Sequence, residues 1–297
     1  MTAGVLIKQI RDTFDGLRDV RQGGNHPRYA VSDAALSAFA VFFTQSPSFL
    51  DDQVRLQRER GRNHATSLFG VHAIPCDPQT RNLLDPVPPA ERAPLLLDIV
   101  DGLCRLGALE THRTRAGGFT VALDGTTHLA SNAISCPHCA TRTLTNGQTR
   151  HVPIAVTPAL VAPGQAAVFP LSPAFVTPQD GHTQQDCERA ASARWLPPWA
   201  PRLAAWGPIT YRGDDRYCHQ PCCEQVLAQH RHLLFGCLPQ SHATRYEWLA
   251  DCERQGPPPT RVTTRWTGTQ RFTDTSRYCH PLPLRDRDEV RYVDGGS

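Results

Sequence analysis

The sequence predicts an α/β protein in which a mainly helical N-terminal region precedes a mixed sheet with flanking helices. Apolar residues recur at helical spacing over residues 1–117. Beyond that point the apolar runs shorten to a few residues, each bounded by glycine or proline in the manner of successive strands. Two longer helical segments interrupt these short runs, and this alternation indicates a sheet packed against helices.

Helices are predicted in three segments of the N-terminal region. The first is GVLIKQIRDTFDGLRDV, and the second is SDAALSAFAVFFTQ, for which Ser32 or Asp33 is the predicted N-cap. The third is APLLLDIVDGLCRLGAL. The polar, glycine-terminated stretch THRTRAGG follows it and predicts a boundary, so that the domains are 1–117, 118–255 and 256–297.

The second region is predicted to contain five strands and two helices. The first three strands are GFTVALDG, RHVPIAVTPAL and QAAVFPL. A helix is predicted over residues 184–196, since its acidic start and arginine-bearing end suit the helix dipole. The strand GPITYRGDD, the helix PCCEQVLAQHR and the strand HLLFGCLP then follow in order.

Composition excludes several classes of protein. The chain has 297 residues, a net charge of +3 and a pI near 8.3, which is too mild to predict nucleic-acid binding from charge alone. The basic segment 54–64 is a local candidate for a polyanion site, with a solvated helix face as the alternative. No apolar run approaches the roughly 20 residues of a membrane span, and the N-terminus lacks a signal-peptide pattern. We expect a cytoplasmic protein with no membrane partner.

Aspartates end two of the predicted strands. Asp124 closes the first strand and Asp214 the fourth. If these strands are neighbours in the sheet, their carboxyl ends bring two carboxylates together, and both stay ionised only with a compensating cation. Mg²⁺ or Mn²⁺ meets that need. The alternative for each aspartate alone is a turn-forming role, because Asp-Gly commonly closes a strand.

The cysteines predict reduced thiols, some of them metal ligands, because eleven in a long chain is too sparse for a disulfide scaffold. Cys136 and Cys139 form a CxxC with a spacing that lets two thiolates share one zinc ion. Buried inert thiols and a reactive redox pair are the alternatives. Zinc would need two further ligands, and the candidates are Cys187, Cys218, His219, Cys222, Cys223 and Cys237.

Four blocks of the sequence resemble the insertion-sequence DDE transposases, which have a ribonuclease-H-like catalytic core. The blocks are ALDGTTHLASNAISCPHC, QDGHTQQDCERAASARWL, YRGDDRYCHQPCCE and LLFGCLPQSHATRYEWL. The resemblance extends from about residue 30 to 250. It implies that Asp124 and Asp214 are the first two catalytic acids, with Asp215 as a register alternative to Asp214. It also implies a homo-oligomer that binds DNA at the ends of a mobile element, cleaves a strand with water and carries out strand transfer with the freed hydroxyl as the nucleophile.

The chain departs from that family near its end. The family carries a third metal-binding glutamate on a late helix, after a β insertion. Residues 260–280 are similar to the start of such an insertion, but Glu289 lies in a charged stretch without a long helix. The resemblance therefore predicts an inactive fragment. One alternative is a non-catalytic DNA- or transposase-binding module stabilised by zinc, and another is a zinc-stabilised structural protein whose aspartates form turns.

Several further polar residues are weaker candidates. A surface or core role is the leading interpretation for His182, His219 and His242. Arg194 and Trp195 end the predicted helix 184–196, where they could contact phosphate or simply pack and remain solvated. Asp186 and Glu188, at the start of that helix, are candidate outer-sphere carboxylates of the metal site, although a favourable helix-dipole position also explains them.

Overall fold

The structure is a computed structural model that describes residues 2–21, 28–45, 49–59, 68–71, 73–127, 130–133, 135, 139–177 and 187–279. It is a mixed α/β protein, which confirms the predicted class. The chain divides into two compact units, one of Met1–Thr111 with Ala167–Pro173 and one of His112–Ala166 with Ala174–Ser297. Within the described ranges no helix has the length and apolar character needed to cross a membrane.

The first unit is mainly helical. Its helices are α1 (Ala3–Asp15), α2 (Val31–Phe43), α3 (Phe49–Arg58), α4 (Asp77–Leu84) and α5 (Ala93–Arg105), and the segment 167–173 contributes the short strand β7 (Phe169–Pro170). The core includes Ile10 and Phe14 of α1, which the helical spacing of apolar residues places on one face. Phe39 of α2 packs edge-on against Phe14 and Phe69.

The start of α2 differs from the prediction. Ala30, rather than Ser32 or Asp33, occupies the N-cap position, and the helix begins at Val31. The Asp33 carboxylate accepts a hydrogen bond of 3.0 Å from the backbone N–H of Ala30. The acidic residue therefore satisfies a backbone donor from inside the first turn, where the helix dipole also favours a negative charge.

The second unit contains the remaining strands and helices. The strands are β1 (Phe119–Ala122), β2 (Gly125–Thr127), β3 (Ala140–Thr143), β4 (Thr149–Val152), β5 (Ile154–Val156), β6 (Ala159–Val161), β8 (Ala174–Phe175), β9 (Ile209–Gly213), β10 (His232–Phe235), β11 (Thr260–Trp266) and β12 (Arg271–Arg277). The helices are α6 (Glu188–Ala204), α7 (Gln220–Ala228) and α8 (Ala243–Gln255).

A mixed sheet in this unit has the strand order β10-β9-β1-β6. β1 pairs in parallel with β9, which in turn pairs in parallel with β10. On its other side, β1 pairs with β6 in antiparallel fashion. Phe119, Val121, Ile209 and Tyr211 are fully buried, so the central strands β1 and β9 form the core of the unit.

Helix α6 continues past the predicted end at Leu196. Pro197, Pro198 and Pro201 lie inside it. A proline lacks the N–H that would bond to the carbonyl four residues earlier, so Pro197 leaves the carbonyl of Ala193 without its helical donor. The side-chain amide of Gln225 donates to that carbonyl at 2.7 Å. Trp195, Leu196 and Leu203 are buried, and this packing favours continuation of the helix.

Prolines also divide the predicted second strand. The run of residues 150–160 forms β4, β5 and β6, which separate at Pro153 and near Pro158 because proline cannot donate to a strand ladder. β5 pairs with β2 and β8 in a second small sheet, and β3 pairs with β4. Strands β11 and β12 form an exposed hairpin in the region predicted to be β-rich.

Candidate functional site

Asp124 and Asp214 follow the carboxyl ends of two adjacent parallel strands. Ala122 pairs with Arg212, and each aspartate lies two residues beyond its member of that pair. The backbone N–H of Leu123 donates to the carbonyl of Arg212 at 2.7 Å, which extends the pairing toward the aspartates. The structure therefore places both predicted acids at one edge of the sheet.

Each aspartate also caps its local turn. One carboxylate oxygen of Asp124 accepts from the N–H of Gly125 at 2.8 Å, and one of Asp214 accepts from the N–H of Arg216 at 3.0 Å. These bonds agree with the turn-forming alternative. They use one oxygen of each carboxylate, and a carboxylate has capacity for several further contacts. A turn role and a metal-binding role are therefore compatible.

Glu188 is a third carboxylate at this edge. It is the first residue of α6, and its carboxyl group lies so close to Gly125 that a Cβ there would be 2.1 Å from the Glu188 Cδ. Its side chain is only 17% exposed, and Oε1 accepts from the Arg216 guanidinium at 2.9 Å. The sequence pattern assigned Glu188 no more than an outer-sphere role, because the long separation from Asp124 conceals this contact.

The pKa of Tyr217 is raised by burial and by the charges of the three acids. Burial raises the pKa of its phenol to about 12, and the negative charges of Glu188, Asp214 and Asp124 also act to raise it. The Ser192 hydroxyl lies 3.5 Å from the phenol oxygen and lowers the pKa in part. The charges of all three carboxylates thus act on one buried hydroxyl.

Asp215 belongs to a different group of contacts. Its carboxylate accepts from the Ser241 hydroxyl at 2.5 Å and from the Leu238 N–H at 2.7 Å, and these bonds hold its pKa below the ordinary value. His242 Nε2 lies 3.3 Å from the same carboxylate. The geometry associates Asp214 with Asp124, and Asp215 with His242.

A cavity of about 410 Å³ adjoins the acidic edge. It is lined in part by Glu188, Arg216 and Asp215. Arg142 and Arg189 also line it, so its wall carries three guanidinium groups. Guanidinium is the side-chain group best matched to phosphate oxygens, because its fork of donors forms paired hydrogen bonds.

The predicted CxxC falls partly outside the described residues, since Cys136 is not among them. Cys139 is described and is buried. His182, Asp186 and Glu289 also lie outside the described residues. Arg194 donates to the backbone carbonyl of Phe175 at 3.0 Å, while Trp195 is buried against Tyr211.

The cysteine pair at the start of α7 is not activated. A helix start favours thiolate formation, but core packing is the interpretation that the sequence favours for Cys222 and Cys223. Burial instead raises the pKa of Cys222 to about 11 and that of Cys223 to about 12. Desolvation of a charged sulfur outweighs the effect of the helix terminus, and both residues pack in the protein interior.

Cys218, Cys237 and His242 form what we call the thiol–imidazole cluster. One ligand atom from each residue lies within 4.8 Å of the others. Cys218 and Cys237 were candidate zinc ligands on the basis of sequence, but His242 was considered only separately. No short ligand motif connects the three, because they come from separate turns that the parallel strands β9 and β10 bring together.

Comparison with known proteins does not place the chain in a family. No family model matches it, and no curated protein matches it either. Functional inference therefore depends on the residues and their geometry.

Proposed function

We propose that the protein is a transposase-like enzyme that cleaves and transfers DNA strands at mobile-element ends. In this proposal the mixed sheet of the second unit is a ribonuclease-H-like core, and Asp124 and Asp214 bind Mg²⁺ or Mn²⁺. The observation that carries the proposal is the equivalent position of the two aspartates after adjacent parallel strands. The order of strands in the sequence predicts this arrangement, and the resemblance implies that these two residues are the first two catalytic acids.

The donor groups fit a hard divalent cation. Asp124, Asp214 and Glu188 offer the carboxylate oxygens that such a cation binds. Among the described residues, Glu188 forms one ion pair, with Arg216. A pair of such ions supplies Lewis acidity for the attacking and leaving oxygens of a phosphoryl transfer. The aspartates would hold and orient the ions, with their backbone N–H bonds fixing each carboxylate. Asp214 is favoured over Asp215, whose oxygens are engaged by Ser241 and Leu238.

Glu188 supplies the third acid in this proposal, which therefore departs from the inactive fragment that the sequence resemblance predicts. It lies at the start of α6 and so differs in position from the late-helix glutamate of the resembled family. Its carboxylate lies against Gly125, the residue that follows Asp124, and its charge acts to raise the pKa of Tyr217, as do the charges of Asp124 and Asp214. A glutamate held at 17% exposure loses part of its hydration, and a metal ion would compensate that loss.

The cavity beside the acids supports DNA as the substrate. Arg142, Arg189 and Arg216 give its wall positive charge next to the carboxylates. These arginines would bind phosphate oxygens of the backbone and position the scissile bond, without reading base sequence. Strand transfer at two element ends would further require a homo-oligomer.

Metal binding is the first test, measured by titrating Mn²⁺ into the full chain by calorimetry. Asp124→Asn and Asp214→Asn should each weaken binding by at least about tenfold, because a carboxylate ligand becomes a neutral amide. Circular dichroism should be unchanged, since asparagine keeps the acceptor for the turn. Asp12→Asn, at an exposed position of α1, is the matched control. Unchanged Mn²⁺ binding in both site variants would contradict the proposal.

DNA cleavage is the second test, measured as nicking of supercoiled plasmid in Mn²⁺. We expect nicking that EDTA abolishes and that Asp124→Asn removes. DNA binding that survives EDTA, with no nicking in Mn²⁺, would instead identify a non-catalytic DNA-binding module.

A further inference from the structure

The thiol–imidazole cluster lies where three connecting segments meet. Cys218 ends the single helical turn that follows β9, Cys237 comes two residues after β10, and His242 is the N-cap of α8. Their ligand atoms lie within 4.8 Å of one another. Around a tetrahedral zinc ion with Zn–S bonds of about 2.3 Å, two sulfurs are about 3.8 Å apart. Shifts of about 1 Å would therefore bring this cluster to zinc-binding geometry.

The donor types select the class of metal. Two cysteine sulfurs and one imidazole nitrogen are soft or borderline ligands, which favour Zn²⁺ over Mg²⁺ or Ca²⁺. Zinc binds cysteine as the thiolate, so occupation of the site would release the thiol protons.

His242 provides a second and independent indication of a ligand. Its side chain is 9% exposed, and Nε2 is buried without a hydrogen-bond partner among the described residues. The Asp215 carboxylate is 3.3 Å from Nε2, but the contact lacks hydrogen-bond geometry. Leaving a buried polar nitrogen unsatisfied costs about 1–3 kcal/mol. A metal ion bound by this nitrogen would remove that cost.

The surrounding charges balance a zinc site. The Arg245 guanidinium lies 2.7 Å from Cys218 Sγ and 3.8 Å from Cys237 Sγ, and the residue is buried. A neutral thiol is a weak acceptor for these N–H groups, whereas a metal-bound thiolate is a strong one. Zinc and two thiolates sum to zero charge, and Arg245 and Asp215 add one charge of each sign. Residues such as Arg245 and Asp215, which contact the ligands rather than the metal, hold metal ligands in their binding orientation.

Space for a fourth ligand adjoins the cluster. A cavity of about 510 Å³ is lined by Cys218, His242 and Arg245 among others. The group contains no fourth Cys, His or carboxylate from the described part of the chain. A water molecule from the cavity would complete the tetrahedron, as in zinc sites with three protein ligands.

We propose that Cys218, Cys237 and His242 bind one zinc ion. The ion joins the turn after β9 to the start of α8, and so it fixes the turn that begins at Asp214. The proposal is independent of DNA cleavage, because its ligands differ from the three acids and its metal differs from Mg²⁺ or Mn²⁺.

The zinc content of the full chain, measured by elemental analysis, tests the site. The protein is purified under reducing conditions and without a histidine tag. We expect about one zinc per chain in the wild type and less than about a tenth of that in Cys218→Ser and Cys237→Ser. Cys76→Ser is the control, since Cys76 lies exposed at the start of α4. Asp124→Asn should also retain zinc, which separates this site from the acidic edge.

A Cys136→Ser/Cys139→Ser variant distinguishes the cluster from the CxxC. Retention of zinc in this variant supports the cluster, whereas complete loss of zinc here with retention in Cys218→Ser overturns the proposal. Cobalt titration of metal-free wild type gives a test that does not depend on folding of a variant. An absorption band from thiolate-to-cobalt charge transfer is expected, and its absence overturns the proposal. A Cys218–Cys237 disulfide, detected by mass spectrometry in protein purified under reducing conditions, would also overturn it.

Discussion

Gly125 lies directly against the carboxyl group of Glu188. A Cβ at Gly125 would be 2.1 Å from Cδ and 2.4 Å from Oε1 of that side chain. No real side chain tolerates such distances, so the absence of a Cβ allows the carboxylate to lie beside the residue that follows Asp124. The glycine thus matters at this position through close approach rather than through turn geometry.

Gly125→Ala should therefore displace Glu188. Because the obstacle is the end of a flexible side chain, we expect a stability change below about 1 kcal/mol and a Mn²⁺ affinity reduced several-fold. Calorimetric titration with Mn²⁺ measures the affinity. In a Glu188→Ala background the same glycine substitution should have almost no further effect, since the two residues act through one contact. Additive effects of the two substitutions would contradict this coupling.

Arg216→Gln should strengthen Mn²⁺ binding. The Arg216 guanidinium, 2.9 Å from Glu188 Oε1, places a positive charge where a metal ion would otherwise compensate the carboxylate. Since the Arg216 side chain is 67% exposed, solvent screens this charge and we expect a gain of only about two- to fivefold. Arg254→Gln, an exposed arginine paired with Asp251, is the control. Weaker Mn²⁺ binding in Arg216→Gln would show that the guanidinium assists the site.

The sequence predicted the fold best where local signals were strong. The strands ending at Asp124 and Asp214 are recognisable as short apolar runs, and the hydrophobic periodicity of α1 marks its buried face. Helix α6 was predicted too short, because Pro197 and Pro198 are strong local signals of termination. Gln225, far along the chain, satisfies the carbonyl that Pro197 leaves without a donor, and no local pattern reveals such a partner.

Site prediction had the same limit. Asp124 and Asp214 could be predicted as candidate site residues because each follows the end of a strand, so the strand order alone determines whether they meet. Glu188 and His242 depend on side-chain contacts between distant segments, such as the approach of Glu188 to Gly125. Such contacts leave no spacing rule in a single sequence. Contacts between distant segments are therefore the least predictable part of both candidate sites.

Tyr211→Phe should remove an alkaline loss of stability. Burial raises the pKa of Tyr211 from its ordinary value of 10.0 to about 12. A raised pKa means that the folded state holds this proton more tightly, so the stabilisation is complete below pH 10 and is lost as pH rises from 10 to 12. The loss amounts to at most about 3 kcal/mol. Urea unfolding at several pH values measures it.

The exposed Tyr278 gives the control for that experiment. Tyr278→Phe should keep the alkaline decline of the wild type, since this residue is 36% exposed. Tyr211→Phe should be equally or more stable at neutral pH, because the Tyr211 hydroxyl is buried without a hydrogen-bond partner in the described ranges. An identical alkaline decline in Tyr211→Phe and Tyr278→Phe would assign the effect to other groups.

Gly118→Ala should destabilise the fold in a way that Gly125→Ala does not. A Cβ at Gly118 would be 2.5 Å from the carbonyl oxygen of Pro208, which also accepts the 2.8 Å hydrogen bond from Phe119 that opens the β1–β9 pairing. The obstacle here is backbone, so strands β1 and β9 must separate, and overpacking of this kind costs about 1–3 kcal/mol. Urea unfolding measures the loss.

Gly256→Ala is the matched control, because a Cβ there would meet no heavy atom within 4 Å. Its free energy of unfolding should stay within about 0.5 kcal/mol of the wild type. Because β1–β9 pairing also aligns Asp124 with Asp214, Gly118→Ala should reduce Mn²⁺ affinity together with stability, whereas Gly125→Ala reduces affinity alone. Equal stability of Gly118→Ala and Gly256→Ala would show that the strands accommodate the methyl group. The alignment of the two aspartates would then not depend on the close contact between Gly118 and the Pro208 carbonyl.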